Sequence, residues 1–156
     1  MSDWKTPLRL GEQLDKKGNI HEKGVKKLVS AVTEASELGD KLGCAEFIAF
    51  ATSAVRSAHN SEAVLDEVEK QTGVRLQILS GVEEAQLTFL AARRWYGWSA
   101  GSITNLDIGG GSLELSTGTE EVPDLAVSLN LGAGRLTHER FDTDPPERKK
   151  INARRD

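Results

Sequence analysis

The sequence has very little cysteine and no long apolar run, and each absence excludes a class of protein. Its 156 residues include one cysteine, Cys44, so an internal disulfide framework is excluded and a reducing compartment is expected. No apolar stretch approaches the length of a membrane span, and the start of the chain has no signal-peptide pattern. The expected location is therefore the cytoplasm, without a membrane partner.

An excess of positive charge is missing as well. The formal net charge is −4, so a global attraction to nucleic acid or to a membrane is not expected, nor is sequence-specific nucleic-acid binding. An anionic substrate would have to be held locally. The hydrophobic content of 38% and the charged content of 28% fit a globular chain of one domain or two small pieces.

The most informative stretch is 103–116, which reads Ile-Thr-Asn-Leu-Asp-Ile-Gly-Gly-Gly-Ser-Leu-Glu-Leu-Ser. Its three glycines leave a turn without side chains and allow a positive φ. Such a turn can press its backbone N–H groups against an anion. Asp107, just before the glycines, is placed to hold a metal ion or a metal-bound water beside that anion. The stretch therefore predicts phosphate chemistry.

Other glycine-rich loops fit this stretch less well. A P-loop needs a lysine after its last glycine and then a helix, and a Rossmann turn also needs a helix. Here no lysine follows, and residues 113–116 alternate with period two, which is typical of a strand. A strand–turn–strand hairpin remains, and a plain hairpin needs only one or two glycines.

Strand and helix patterns alternate along the rest of the chain. Strands are predicted at 8–14, 46–52, 74–79 and 125–131, and helices at 21–42, 61–71, 82–98 and 132–141. This order predicts an α/β fold with a mostly parallel sheet, followed by the start of a second sheet unit at the glycine hairpin. Ligands in such folds lie at the carboxyl ends of strands, so the loops there are the candidate sites.

Two of these loops carry side chains suited to phosphate chemistry. Ser53 and Arg56 follow the strand 46–52, and an arginine fork can hold phosphoryl oxygens, although a surface arginine with capping residues is an equal alternative. After the next strand, Ser80 and Glu83 match a capping box, which gives Glu83 a structural role. Glu84 lies about 100° further round the helix and can activate a water; the alternative is an acid that stabilises the helix dipole.

A third loop, 131–135, reads Leu-Gly-Ala-Gly-Arg and opens a helix. Its N–H groups can bind an anion, and a plain tight turn is an equal alternative.

Three motifs in order resemble the exopolyphosphatase / guanosine pentaphosphate phosphatase (Ppx/GppA) family of the actin–hexokinase–Hsp70 superfamily. They are Ala-Thr-Ser-Ala-Val-Arg at 51–56, Ile-Leu-Ser-Gly-Val-Glu-Glu-Ala at 78–85 and Asp-Ile-Gly-Gly-Gly-Ser-Leu-Glu-Leu at 107–115. The resemblance implies a ribonuclease H-like mixed sheet with flanking helices, plus the opening hairpin of a second similar domain. Residues 1–98 would be the C-terminal part of the first domain, and residues 99–156 the beginning of a truncated second domain.

The resemblance also implies roles for individual residues. Glu84 looks like the general base for the attacking water, Arg56 like the arginine that contacts the terminal phosphoryl group, and Asp107 like the aspartate associated with Mg²⁺. The implied phosphate-binding residues are Ser53, Gly109, Gly110, Gly111 and Ser112. The implied reaction is metal-assisted hydrolysis of the terminal phosphoanhydride of polyphosphate, or of guanosine pentaphosphate, and the choice between these two substrates stays open.

Two departures from the family pattern qualify this picture. Gln86 stands where the family usually has arginine, which affects a substrate contact but not the base. No Asp-x-Gly-Ser-Asn-type turn occurs between Met1 and Leu14, so the chain is expected to be an internal fragment with little or no activity of its own, because phosphoryl transfer relies on positioning and charge neutralisation from both sides.

Three further expectations accompany this assignment. The alternative functions are a non-catalytic phosphate-binding or regulatory module and a sugar-kinase-like phosphotransferase. An exposed sheet edge would favour association, for example as a homodimer. The candidates for a basic channel, or alternatively for a solvated charged face, are Arg9, Arg93, Arg94 and the arginines between Arg148 and Arg155.

Overall fold

Helices and strands alternate along the chain in an α/β fold, as the sequence predicts. A computed structural model describes residues 4–15 and 17–140. The helices are α1 (Glu22–Lys41), α2 (Ser53–Arg56), α3 (Ser61–Thr72), α4 (Gly81–Tyr96) and α5 (Ala133–Arg140). The strands are β1 (Phe50–Ala51), β2 (Gln77–Ile78), β3 (Ile103–Ile108), β4 (Leu113–Gly118) and β5 (Leu125–Leu129). The part of the basic tail from Arg148 to Arg155 lies outside the described residues.

The first compact unit comprises residues 1–79. Its strands β1 and β2 are parallel, with Phe50 opposite Gln77 and Ala51 opposite Ile78. The apolar residues of α1 and α3 recur at helical spacing and meet in one core. The buried core residues on these helices and nearby include Leu28, Val32, Val64, Leu65, Val68 and Leu76.

The strands predicted in the first unit are the least accurate part of the sequence analysis. Residues predicted as a strand at 8–14 contain a short 3₁₀ helix, Leu10–Gln13, and the only pairing there is an antiparallel bridge from Leu14 to Ile20, within the described residues. The apolar segment 46–52 contributes only Phe50 and Ala51 to a sheet. Phe47 and Ile48 are exposed rather than buried, because β1 pairs with β2 alone in the described part of this unit.

The second compact unit comprises residues 80–156. Its strands β3, β4 and β5 form an antiparallel sheet, with β4 in the centre. Helix α4 packs against all three strands. The glycine hairpin predicted from the sequence is thus the β3–β4 hairpin, and the strand predicted at 125–131 is confirmed as β5.

This sheet buries polar residues on one face and exposes apolar residues on the other, which is the reverse of most antiparallel sheets. Along β4, the polar residues Glu114 and Ser116 are fully buried. On the opposite face, Leu106 and Ile108 of β3 are 57% and 58% exposed. An antiparallel sheet usually buries its apolar face and solvates its polar one, so this arrangement keeps carboxylate and hydroxyl groups under a helix.

Helix α4 belongs to the second unit by its contacts, whereas the sequence analysis places residues 81–96 in the first domain. Phe89 is fully buried, and its ring would meet a Cβ added at Gly118 of β4 at 3.3 Å. The buried face of α4 therefore packs on the sheet that follows it. The predicted domain boundary between residues 98 and 99 stays a prediction.

Arg93 connects the end of α4 to the sheet. Its guanidinium is fully buried and donates to the carbonyl oxygens of Gly97, Gly101 and Gly118 at 3.3, 2.7 and 2.9 Å. The guanidinium carbon also lies 5.8 Å from the centre of the Phe89 ring, a cation–π distance. Both sequence-based interpretations of Arg93, a channel residue or a solvated charge, are therefore wrong: the side chain ties three backbone segments together.

No helix among residues 4–15 and 17–140 is both long and apolar enough to cross a membrane.

We expect Arg93→Ala to lower the free energy of unfolding of the second unit by about 3 kcal/mol, because buried carbonyls lose a charged donor. Urea denaturation followed by tryptophan fluorescence measures this change. The matched control is Arg94→Ala, since Arg94 is exposed and pairs with Glu121 at the surface; we expect little change there. Equal stabilities of the two variants would contradict the structural role of Arg93.

Candidate functional site

The glycine turn connects β3 to β4 and comprises Gly109, Gly110, Gly111 and Ser112. The Gly109 N–H donates to the Ser112 carbonyl oxygen at 3.0 Å, which closes the turn. Ser112 is buried. Among the described glycines, those with φ in the left-handed region are Gly18, Gly43, Gly73, Gly97 and Gly101. The turn glycines are absent from this group, so the turn does not use the positive φ that glycine allows.

The glycine turn lies against a second backbone segment, the buttress loop 131–135. Gly132 is buried, and a Cβ added to it would lie 2.3 Å from the carbonyl carbon of Gly111 and 2.4 Å from the nitrogen of Ser112. Real Cβ atoms do not approach backbone atoms this closely. Only glycine therefore fits at position 132, since it has no Cβ.

Two hydrogen bonds join the buttress loop to the glycine turn. The N–H groups of Ala133 and Arg135 donate to the carbonyl oxygens of Gly109 and Gly110 at 2.9 and 2.8 Å. These amides are thus engaged within the protein. From the sequence, the loop 131–135 could be an anion site or a plain turn; in the structure it supports the glycine turn.

The supported carbonyls determine where the turn amides point. A peptide group is planar and trans, so its N–H points opposite to its C=O. Because the carbonyls of Gly109 and Gly110 face the buttress loop, the N–H groups of Gly110 and Gly111 face away from it. Neither amide donates to another group in the part of the chain that the structure describes. Two neighbouring amides on one side form a concave anion-binding arrangement, and a Cβ at Gly110 would meet open space.

Helix α4 begins with the capping box that the sequence predicts. The Ser80 hydroxyl accepts from the Glu83 N–H at 3.2 Å, and the Glu83 carboxylate accepts from the Ser80 N–H at 2.7 Å. The hydrogen bond from the Ser80 backbone N–H, and after it the one from the Ser80 hydroxyl, hold the pKa of the Glu83 carboxylate below its ordinary value of 4.5. Glu83 therefore stabilises the helix end, which leaves Glu84 as the candidate for chemistry.

Helix α4 runs antiparallel to β3, so its N-terminal end lies at the glycine-turn end of the sheet. Arg93 contacts Gly118, which pairs with the first residue of β3, whereas Thr88 accepts from the Asn105 amide at 3.3 Å. Glu84 precedes Thr88 by one turn, about 6 Å of helix rise. Two residues of strand beyond Asn105 add about 7 Å, so Glu84 is level with Asp107.

The Thr88 hydroxyl strengthens this placement. It donates to the carbonyl oxygen of Glu84 at 3.0 Å while accepting from Asn105. One side chain thus connects the backbone of Glu84 to β3. Glu84 itself is half-buried, whereas Gln86 on the same helix is exposed.

The sheet contributes two carboxylates in one row. Asp107 pairs directly with Glu114, and Glu114 pairs with Ser128. Glu114 is 1% exposed and accepts from the Ser128 hydroxyl at 2.7 Å. Opposed residues on neighbouring strands have Cβ atoms about 5 Å apart, so both carboxylates lie on the face that α4 covers.

Glu114 was not among the site residues predicted from the sequence, although a signal for it was present. A hairpin that turns at 109–112 pairs residue 108 with 113 and therefore residue 107 with 114. The register of a hairpin follows from its turn, so Glu114 was predictable as the neighbour of Asp107.

This pair of carboxylates fits a magnesium ion. Mg²⁺ prefers hard oxygen ligands and is commonly held by one or two carboxylates together with waters and substrate phosphates. A cage made wholly of protein is not required, and no cluster of three or more His, Cys, Asp or Glu side chains that is suited to a metal occurs in the described ranges. Asp107 and Glu114 supply the two oxygen donors next to the glycine turn.

The other two candidates lie in the first unit. Ser53 is the first residue of α2, directly beyond the end of β1, and Arg56 is the last. The Arg56 guanidinium donates to the carbonyl oxygen of Leu79, just after β2. Both residues thus lie at the carboxyl ends of the parallel strands, where the sequence analysis expects them.

A family model and a curated relative both match this chain along its full length. Residues 1–156 match the model of the Ppx/GppA phosphatase family. The chain is 57% identical over 156 residues to exopolyphosphatase 1 of Mycobacterium tuberculosis, covering 100% of this chain and 45% of that protein. It thus spans about half the length of the curated relatives it matches.

Two solved structures have the same fold. An exopolyphosphatase from Cytophaga hutchinsonii matches with a TM-score of 0.88 and 25% identity, over 98% of this chain and 49% of that one. The Ppx/GppA family member from Aquifex aeolicus matches with a TM-score of 0.73 and 26% identity, over 94% and 47%.

The capping box predicts an acid-sensitive helix end. Because the pKa of Glu83 is lowered on folding, its contribution to stability is present at neutral pH and is lost as the pH falls below about 4.5 through the folded-state pKa. We expect the stability of Glu83→Gln to fall less steeply over this range than that of the wild type. Thermal unfolding between pH 3 and pH 7, on the order of one unit per step, tests this difference; parallel curves for the two proteins would exclude it.

The buttress loop predicts opposite effects for two glycine substitutions. Gly132→Ala forces a Cβ into backbone at 2.3 Å, so we expect a loss of several kcal/mol of unfolding free energy, or failure to fold. Gly110→Ala places its Cβ in open space and is the matched control, with a near-wild-type melting temperature. The prediction fails if Gly132→Ala melts together with this control.

Proposed function

Because this chain belongs to the Ppx/GppA phosphatase family, we propose that it forms part of an exopolyphosphatase that removes the terminal phosphoryl group of inorganic polyphosphate by attack of water. The observation that carries this proposal is the pair of outward amides at Gly110 and Gly111, at the same end of the sheet as the half-buried carboxylate of Glu84. An amide pair binds phosphoryl oxygens, and a neighbouring carboxylate activates water.

The choice of polyphosphate follows from the relatives. The curated protein that is 57% identical to this chain is an exopolyphosphatase. The family description also names GppA, and guanosine pentaphosphate, the second substrate that the resemblance implies, likewise ends in a phosphoanhydride. We propose it as a second substrate of the same site.

In the proposed mechanism, the amides of Gly110 and Gly111 bind the oxygens of the terminal phosphoryl group. Preorganised donors of this kind stabilise negative charge as it develops during transfer. Glu84 accepts a proton from the water that attacks the phosphorus, and the rigid α4 holds the carboxylate in place. The water oxygen forms the new P–O bond as the bond to the bridging oxygen breaks, so orthophosphate and a shortened chain result.

Magnesium is a proposed cofactor. Asp107 and Glu114 would hold Mg²⁺, which offsets the charge of phosphate oxygens when it is bound. Ser128 restrains the Glu114 carboxylate through their hydrogen bond.

For the residues of the first unit we propose the roles that the family resemblance implies. Arg56 would contact oxygens of the transferring group, since a guanidinium has five N–H donors and can serve a backbone carbonyl and a phosphate together. Ser53 would contribute a hydroxyl donor to the phosphate.

The test measures phosphate release from long-chain polyphosphate by the protein that contains this chain. We expect Glu84→Gln to lower kcat by about 100-fold or more, since general-base catalysis contributes 10² to 10⁴. KM should change little because the amide pair is untouched. The matched control is Glu83→Gln, which keeps a side chain compatible with the capping box and should keep its kcat.

Other outcomes separate the alternatives. Wild-type release by Glu84→Gln would remove the base assignment. Binding of polyphosphate without release of phosphate would indicate a regulatory module, and consumption of ATP without polyphosphate would indicate a kinase-like transferase.

A further inference from the structure

The first half of α4, which carries Glu84, has little apolar packing to hold it in place. The buried residues of the helix are Ala85, Phe89 and Arg93. Phe89 and Arg93 lie in the second half, where they contact the sheet at Gly118. Within the described helix, Ala85 is thus the only buried residue between positions 81 and 88. Since apolar contact is non-directional, a small buried side chain does little to fix the rotation of this half above the sheet.

A polar contact connects this half of the helix to β3. The side-chain amide of Asn105 donates to the Thr88 hydroxyl at 3.3 Å. The same hydroxyl donates to the carbonyl oxygens of Glu84 and Ala85 at 3.0 and 3.2 Å. A hydroxyl has one proton and two acceptor lone pairs. Because the Thr88 hydroxyl accepts from Asn105, its proton is directed back to the helical turn that carries Glu84.

Asn105 lies on the same face of the sheet as the candidate site. Side chains of a strand alternate between its two faces, so Asn105 and Asp107 both lie on the face that α4 covers. Asn105 pairs with Ser116, which is fully buried, and the next row on this face is that of Asp107 and Glu114. Within the described ranges, the Asn105 side chain makes no hydrogen bond besides the one to Thr88. The amide of Asn105 is therefore committed to the helix.

The contact with Asn105 distinguishes Thr88 from other threonines in helices. A hydroxyl bonded to the carbonyl four residues earlier is common and by itself implies no function. Thr33 of α1 makes that bond to the carbonyl oxygen of Val29 at 3.0 Å and is half-buried, as Thr88 is. In the part of the chain that the structure describes, Thr33 has no hydrogen bond to a strand. Thr33 therefore provides a matched comparison.

We propose that Asn105 is a positioning residue that, through the Thr88 hydroxyl, holds the Glu84 carboxylate in place for attack of water on the phosphoryl group. This inference rests on the proposed function. A general base has to lie within hydrogen-bond reach of the water whose proton it accepts, and a displacement of about 1 Å costs up to about 100-fold in rate. Neither Asn105 nor Thr88 binds the substrate in this arrangement, so the loss of their contact lowers kcat and leaves KM unchanged.

The test measures phosphate release from long-chain polyphosphate by the protein that contains this chain. We expect Thr88→Val, which keeps the shape of the side chain without the hydroxyl, to lower kcat by about tenfold and to change KM by no more than about twofold. Thr88→Ser retains the hydroxyl and should keep kcat within about twofold of the wild type. The matched control is Thr33→Val, which removes the same helical hydrogen bond away from the sheet and should leave both constants unchanged.

Two combinations of variants test whether the effect passes from Asn105 to Glu84. Asn105→Ala should lower kcat as Thr88→Val does, and the double variant should be no slower than either, because all three lose the same contact. In a Glu84→Gln background, Thr88→Val should change the residual kcat by no more than about twofold, since the group that it positions is gone. A further loss of about tenfold in that background would mean that Thr88 acts on the fold in general, and would overturn the inference.

Failure of the inference and failure of the proposed function give different results. Wild-type kcat in Thr88→Val and Asn105→Ala, beside a severe loss in Glu84→Gln, overturns the inference alone, as does an equal loss in Thr33→Val and Thr88→Val. If the wild type releases no phosphate, or Glu84→Gln releases it at the wild-type rate, the proposed function fails and the inference fails with it. Thermal unfolding verifies the fold of each variant, and if Thr88→Val does not fold, Asn105→Ala decides.

Discussion

The contact between two backbone segments, the glycine turn and the buttress loop 131–135, determines the geometry of the turn in the second unit. Gly132 lies against Gly111 and Ser112 at a distance that excludes a side chain. Two hydrogen bonds then fix the carbonyls of the turn. Since each peptide is rigid, fixing its carbonyl also fixes its amide. The buttress loop thus fixes the direction of the anion-binding amides by holding the carbonyl side of the turn. In the sequence this loop comes after β4 and β5.

The polar face of the sheet also contributes to the candidate site. Glu114 and Ser116 are buried under α4, while Leu106 and Ile108 on the other face are exposed. Burial of polar groups is unfavourable unless they are hydrogen-bonded, and the Ser128 hydroxyl provides one such bond to Glu114. Helix α4 consequently covers a polar surface, and the carboxylates of the sheet and of the helix lie on the same side.

What the sequence predicts well depends on local interactions. Helix α4, its capping box and the glycine hairpin follow from residue spacing and from neighbours within four positions. The segment 46–52 was misjudged because apolar composition does not say how many strands flank it. Gly132 was not recognised, since its contact with Gly111 joins residues distant in sequence. Glu114 was accessible through the hairpin register, whereas the burial of Arg93 depends on the carbonyls of three segments.

Gly110 differs from its neighbours in what its identity reflects. Its φ lies outside the left-handed region, and the space where a side chain would begin is empty. The fold therefore imposes no demand for glycine there, in contrast to position 132. If selection keeps this residue small, the reason lies outside the polypeptide, in a molecule that must come within touching distance of the main chain. Selection for ligand binding and selection for stability therefore act at different glycines, the former at position 110 and the latter at position 132.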